Sequence, residues 1–194
     1  MAVRIPGGSA ALGAALAVVA GCGEDSALIT AASLTLDPCK DGKPRTFEPF
    51  RFEADLLRWY GASGGGQVEM RRGWKASTMS DQAVLQFPDL DAVRARMDAG
   101  EDVPIDGKVA RMSIALRATC PGSGAALAAR DGVMQVTSLD TSVGGRIAGA
   151  GTFDIWEERA LAEPEGTVEP LARGATLRFD MEVRRGTAYE GFSR

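Results

Sequence analysis

The sequence predicts a mainly β domain, an antiparallel β-sandwich or open barrel with one short helix near residues 90–99. Three observations predict it. First, Phe50, Phe52, Ala54 and Leu56 alternate with Arg51, Glu53 and Asp55, and Leu177, Phe179, Met181 and Val183 alternate with Arg178, Asp180, Glu182 and Arg184. A period of two with one apolar and one charged face marks a half-buried antiparallel strand. Second, Gly- or Pro-bearing turns recur at 38–42, 61–66, 121–124, Asp131-Gly132 and Gly144-Gly145. Third, helical signals concentrate in one segment, and many short strands so punctuated favour a sandwich or barrel.

In chain order, the sequence opens with MAVR, an apolar stretch at residues 10–20 (AALGAALAVVA) and Gly21-Cys22. A short basic start and an apolar run too short to cross a bilayer fit a secretory signal. Val19, Ala20, Gly21 and Cys22 resemble the lipobox of bacterial lipoproteins: an aliphatic residue, two small residues, then Cys. Small residues let the peptidase draw an extended chain into a narrow site. The resemblance implies a signal peptide over 1–21, a diacylglyceryl thioether on Cys22, cleavage before it and acylation of its amine. A membrane would then be the partner through that lipid. Gly23 follows the Cys, without the Asp that keeps lipoproteins of well-studied Gram-negative bacteria in the inner membrane. The expected location is thus the cell envelope, at the outer membrane. Residues 22–27 form a tether reaching roughly under 20 Å, and 28–194 form a single β-rich domain.

Further strands are expected over 28–36, 67–72, 82–87, 108–120, 133–139 and 147–156. The helix has Asp89 as N-cap, Leu90, Val93 and Met97 on one face, and Gly100 as its stop. Residues 160–173 read as a polar, Pro-bearing loop. The segment 131–156, a strand, a Gly-Gly turn and a strand with G-x-G-T-F-x-I, is similar to hairpins of β-sandwich envelope lipoproteins. That resemblance implies fold and compartment and no activity.

With Cys22 set aside, Cys39 and Cys120 remain, and an even pair in an exported chain reads as a disulfide. Ala110, Met112, Ile114, Leu116 and Ala118 share one strand face that Cys120 continues, so it points inward. The bond would close a loop of about 80 residues, worth roughly 4–5 kcal/mol by chain entropy.

The 194 residues contain no histidine, which excludes Ser-His-Asp and Cys-His catalysis and the usual zinc and haem ligation within this chain. Arg4 is the only charge before Cys22, so 22 basic residues become 21 against 26 acidic ones, a formal net charge of −5. A nucleic-acid partner normally calls for the opposite sign. No catalytic residue, metal site or cofactor is expected, and the protein is read as non-enzymatic.

Other clusters have ordinary explanations. No helix pattern follows the Gly-rich run 61–66, so it cannot offer a phosphate a helix N-terminus. Gly149 and Gly151 lie within a strand and fit a bulge or close packing. Asp89, Asp91, Asp98, Glu101, Asp102 and Asp106 lack the order of a calcium loop and read as a solvated face. Glu157, Glu158, Glu163 and Glu165 would serve a glycan hydrolase only as a facing pair. The most suggestive cluster is Arg58, Trp59, Tyr60, Arg71, Arg72, Trp74 and Lys75 on one hairpin, with four cations within 18 residues of an acidic chain. Aromatic and cationic side chains so interleaved suit sugars or anionic polymers. Parity counted on from Phe50 sets Trp59 with Arg51, Glu53 and Asp55, pointing outward. The functional expectation is an envelope lipoprotein presenting a binding or structural domain to an envelope glycan or protein. The alternatives are a carrier or sensor of an apolar ligand inside a barrel-like fold and a carboxylate-based glycan hydrolase.

Overall fold

The computed structural model describes residues 25–36, 39, 42–73, 80–121, 126–162 and 168–184. Residues 1–24, on which the expected signal peptide, Cys22 and Gly23 fall, lie outside them. The strands are β1 Ser26–Ala31, β2 Leu34–Leu36, β3 Arg45–Phe47, β4 Phe50–Glu53, β5 Leu56–Ala62, β6 Gly65–Arg72, β7 Asp81–Phe87, β8 Val103–Ile105, β9 Arg111–Leu116, β10 Leu127–Leu139, β11 Arg146–Glu157 and β12 Ala172–Glu182. Helix α1 spans Leu90–Ala99, and a 3₁₀ turn spans Glu158–Ala162.

The main sheet is antiparallel, in the order β4-β1-β12-β11-β10-β9-β7-β6-β5, with β8 also paired to β10; β2 and β3 form a separate hairpin. The sheet curls into a half-barrel, as the mainly β reading predicts. Its edge strands β4 and β5 are consecutive in the chain. The first pairs with β1 (Ile29 opposite Phe52) and the second with β6 (Trp59 opposite Val68). Between them Ala54 and Asp55 bend, and the Asp55 N–H donates to the Arg71 carbonyl at 2.8 Å. One face of the curl is filled by Phe50, Phe52, Met70, Phe87, Met112 and Phe153, each under 2% exposed. Burying such side chains contributes about 1.5–3 kcal/mol apiece. Because β4 runs antiparallel to β1 and β5 continues it, the β5–β6 hairpin lies at the end where β1 begins.

Helix α1 forms as its sequence signals dictate. Asp89 Oδ1 accepts from the Asp91 and Ala92 amides at 3.0 Å, Gly100 takes the left-handed conformation at φ 68°, and Leu90 and Val93 are buried. Cys39 and Cys120 are bonded, with Cα atoms 5.0 Å apart. The strand expected over 108–120 covers only Arg111–Leu116; Ala118, expected on its inward face, is exposed in the turn that follows, and Cys120 is buried beyond the strand's end, where strand parity no longer applies.

Three expectations are corrected. Asp131 and Gly132 are not a turn but a bulge inside β10, where the register with β11 shifts and Asp131 takes φ 54°. A methyl group on Gly132 would collide with the Phe153 side chain, so close packing sets that position. The run 28–36 divides into β1, which begins two residues earlier at Ser26, and β2, which leaves the main sheet. Part of the loop expected over 160–173 is structured: the 3₁₀ turn ends at Ala162 and β12 begins at Ala172.

Candidate functional site

The predicted hairpin exists. Leu56–Ala62 and Gly65–Arg72 pair antiparallel through a two-residue turn, Ser63-Gly64, with Gly64 at φ 76°. Its parity differs from expectation. Ala54 and Asp55 leave the strand conformation, so the inward set changes from even positions (Phe50, Phe52) to odd ones (Leu57, Trp59). A one-residue slip exchanges the two faces of a strand completely. Trp59 is therefore half-buried against the core, not outward, and its indole covers Gly61 and Gly66. A side chain at Gly66 would collide with that ring.

Arg72 is likewise structural. Its guanidinium lies 5.4 Å from the Phe52 ring centroid, donates to the Arg51 carbonyl at 2.5 Å, and pairs with Asp81 at 2.7 Å. Asp81, 2% exposed, also accepts from the Ala118 and Thr119 amides at 2.8 and 2.9 Å and from the Thr119 hydroxyl. A buried carboxylate so surrounded is satisfied, and it ties β7 to the turn that carries Cys120. Trp74 and Lys75 lie outside the described residues.

The remaining predicted residues share the outer face with polar groups the sequence reading missed. Glu69 points outward between Val68 and Met70, yet is 4% exposed. It accepts from the Tyr60 hydroxyl at 2.8 Å, the Arg71 guanidinium at 2.7 Å and the Gln82 amide at 2.5 Å. Arg58 stands opposite Glu69 across the strand pair. Partial burial, then the hydrogen bond to Glu69, raise the Tyr60 pKa above the ordinary phenol value, so its hydroxyl remains a donor at neutral pH and fixes the ring.

Next to this cluster runs a row across four strands: Tyr60 opposite Gln67, Gln67 opposite Gln86, Gln86 opposite Arg111. At about 4.8 Å per strand it spans about 14 Å. The Gln86 amide donates to Gln67 at 3.1 Å, so the two side chains hold each other in register. These four side chains, with Gly61 and Pro88, line a groove of about 540 Å³. Arg111 is exposed; its guanidinium reaches the Gly107 carbonyl at 3.4 Å, and no carboxylate pairs with it among the described residues. The missed signal was alternation in β6 and β7, where Gln67, Glu69, Gln82 and Gln86 interleave with buried Val68, Met70, Ala83 and Leu85.

The other clusters are scattered. Asp89 caps α1, Asp91 pairs with Arg94 at 3.0 Å, Glu101 with Arg96 at 3.4 Å, and Asp106 accepts from the Lys108 and Val109 amides. Glu157 pairs with Arg159 at 2.7 Å and Glu158 stands in the 3₁₀ turn, while Glu163 and Glu165 lie outside the described residues. Gly149 and Gly151 oppose Val136 and Met134, and a side chain on either would meet the Phe179 ring or Met134. Among the described residues, no group of three His, Cys, Asp or Glu could hold a metal ion, and no helix is long and apolar enough to cross a membrane.

The molecule is thus a curled antiparallel half-barrel with a groove on its outer face that is crossed by a polar row and otherwise lined mostly by apolar groups such as Ala62, Phe87 and Pro88. No protein-family model matches the chain, and no curated protein or solved structure is detectably similar to it.

Proposed function

We propose that this protein is a non-enzymatic lipoprotein, anchored by acylated Cys22 at the outer membrane of a bacterial envelope, whose half-barrel binds a polar envelope component in the outer groove. The observation that carries the binding part is the row Tyr60–Gln67–Gln86–Arg111, pre-positioned by Glu69 and by the Gln86–Gln67 hydrogen bond. Polar groups held in place on a rigid sheet lose little entropy on binding. Export is supported by the lipobox resemblance and by the Cys39–Cys120 bond, which suits an oxidising compartment. The filled inner face favours a surface-binding role over an apolar carrier. Since β1 starts at Ser26, the tether from Cys22 reaches about 13 Å, which keeps the hairpin end of the half-barrel near the membrane.

The full chain expressed in a bacterium and fractionated tests the anchor. Wild type is expected in the membrane fraction, and Cys22→Ala as an unprocessed or soluble protein. Recovery of Cys22→Ala from membranes after normal cleavage contradicts the reading. For the groove, the detergent-solubilised lipoprotein is expected to sediment with isolated envelope material, and Tyr60→Ala with Gln86→Ala to abolish that.

A further inference from the structure

The chemistry of the groove narrows its occupant. Gln67 and Gln86 each present an amide, and an amide both donates and accepts. A ligand matched to such a pair carries groups that do both, and hydroxyls arrayed along a sugar ring do so. Tyr60 offers a ring whose hydroxyl is engaged by Glu69, leaving it held at the groove wall as a stacking surface for an apolar sugar face.

Arg111 closes the row at the β9 side, and its charge decides the class. Nearby cations have found carboxylates: Arg71 pairs with Glu69 and Arg72 with Asp81, each at 2.7 Å. Arg111 has a carbonyl at 3.4 Å and faces the groove. A guanidinium in that setting is matched by a planar carboxylate taken bidentately. The row, about 14 Å long, spans two to three sugar units rather than one. Resting on the binding role proposed above, we infer that the groove takes an acidic saccharide, two to three units long, with its carboxylate on Arg111, its hydroxyls on Gln67 and Gln86 and one ring face on Tyr60.

The test titrates the lipidated full-length protein, in detergent, with trigalacturonate and separately with its fully methyl-esterified form, which keeps every hydroxyl and removes the charge. Backbone and side-chain amide signals of Gln67 and Gln86 report the site. Trigalacturonate is expected to shift these signals and to bind at least about tenfold tighter than the ester, a preference that falls as salt rises. Arg111→Gln, which removes an exposed charge, is expected to bring the acid down to the affinity of the ester while leaving the melting temperature unchanged. Equal affinity for acid and ester, or shifts confined to residues away from the groove, overturns the inference. If envelope material still sediments through Tyr60 and Gln86 while the charge of the sugar makes no difference, the saccharide class is wrong and the binding role stands. If neither trigalacturonate nor envelope material engages the groove, both fail.

Discussion

At the end of the half-barrel that carries the disulfide, Asp81 is 2% exposed and gathers hydrogen bonds from Ala118, Thr119 and Arg72. On the groove face, Arg111 is exposed and reaches a single carbonyl at 3.4 Å among the described residues. Both regions are polar, both join distant parts of the chain, and both involve an arginine. They differ in whether the protein itself satisfies the charge. Where a buried carboxylate meets its guanidinium and its amides, the group fixes the fold and has nothing to offer a ligand. Where a cation stands on a rigid sheet with little to bond, its capacity is left for something outside the chain. Charge and aromaticity in sequence therefore mark two quite different uses, and the face of the sheet decides between them.

The comparison can be sharpened first at the disulfide end. Replacing Cys39 and Cys120 by Ser releases a loop whose ends are 81 residues apart, and the expected loss is roughly 4–5 kcal/mol in chemical denaturation. A loss under about 1 kcal/mol would mean that the rest of the half-barrel closes that loop unaided. Next, Asp81→Ala strands the Arg72 guanidinium and the Ala118 and Thr119 amides, an expected cost of about 3–4 kcal/mol. A variant as stable as wild type would remove the contrast with Arg111.

The smallest effect lies in the turn between β8 and β9. Hydrogen bonds from the Val109 backbone amide first, and then from Lys108, hold the Asp106 pKa below the ordinary carboxylate value. A folded-state pKa lowered in this way stabilises the fold above the unfolded value near 4, and that contribution disappears as pH falls through the folded value. Asp106 is exposed, so the contribution is about 0.5 kcal/mol after solvent screening. Asp106→Ala is expected to match that loss above about pH 5 and to converge with wild type in acid. A difference that instead grows as pH falls would contradict the sign.

Much of the fold was legible because its signals are local. Alternation in 50–53 and 177–183 needs no knowledge of distant chain, the Asp89 and Gly100 caps define α1, and the even pair of cysteines left beside Cys22 anticipated the Cys39–Cys120 bond, although the strand parity assigned to Cys120 ends at Leu116. Short strands such as β3 and β8, three residues each, contain too little pattern to be seen. The Asp131-Gly132 bulge carries turn residues in the middle of a strand, so composition alone reads it as a break. The site was half legible. The hairpin was located, but Ala54 and Asp55 bend the chain and exchange its faces, which moved Trp59 from the expected surface to a half-buried place against the core. Gln67, Gln86 and Arg111 were not read as parts of a site because each is an ordinary polar residue in its own strand. They become a row only through the pairing of β6 with β7 and β7 with β9, and that register is non-local.

The central claim is that the inward face of this hairpin holds the fold and its outward face, continued to Arg111, holds the ligand. Measuring both properties in Trp59→Ala and Arg111→Gln tests it most directly: melting temperature, and affinity for trigalacturonate at a temperature where both variants are folded. The account predicts opposite outcomes. Trp59→Ala loses about 2–4 kcal/mol of stability and binds as wild type does, whereas Arg111→Gln melts as wild type does and binds at least about tenfold more weakly. A Trp59→Ala variant that keeps its stability and loses affinity, or an Arg111→Gln variant that keeps its affinity, would contradict it.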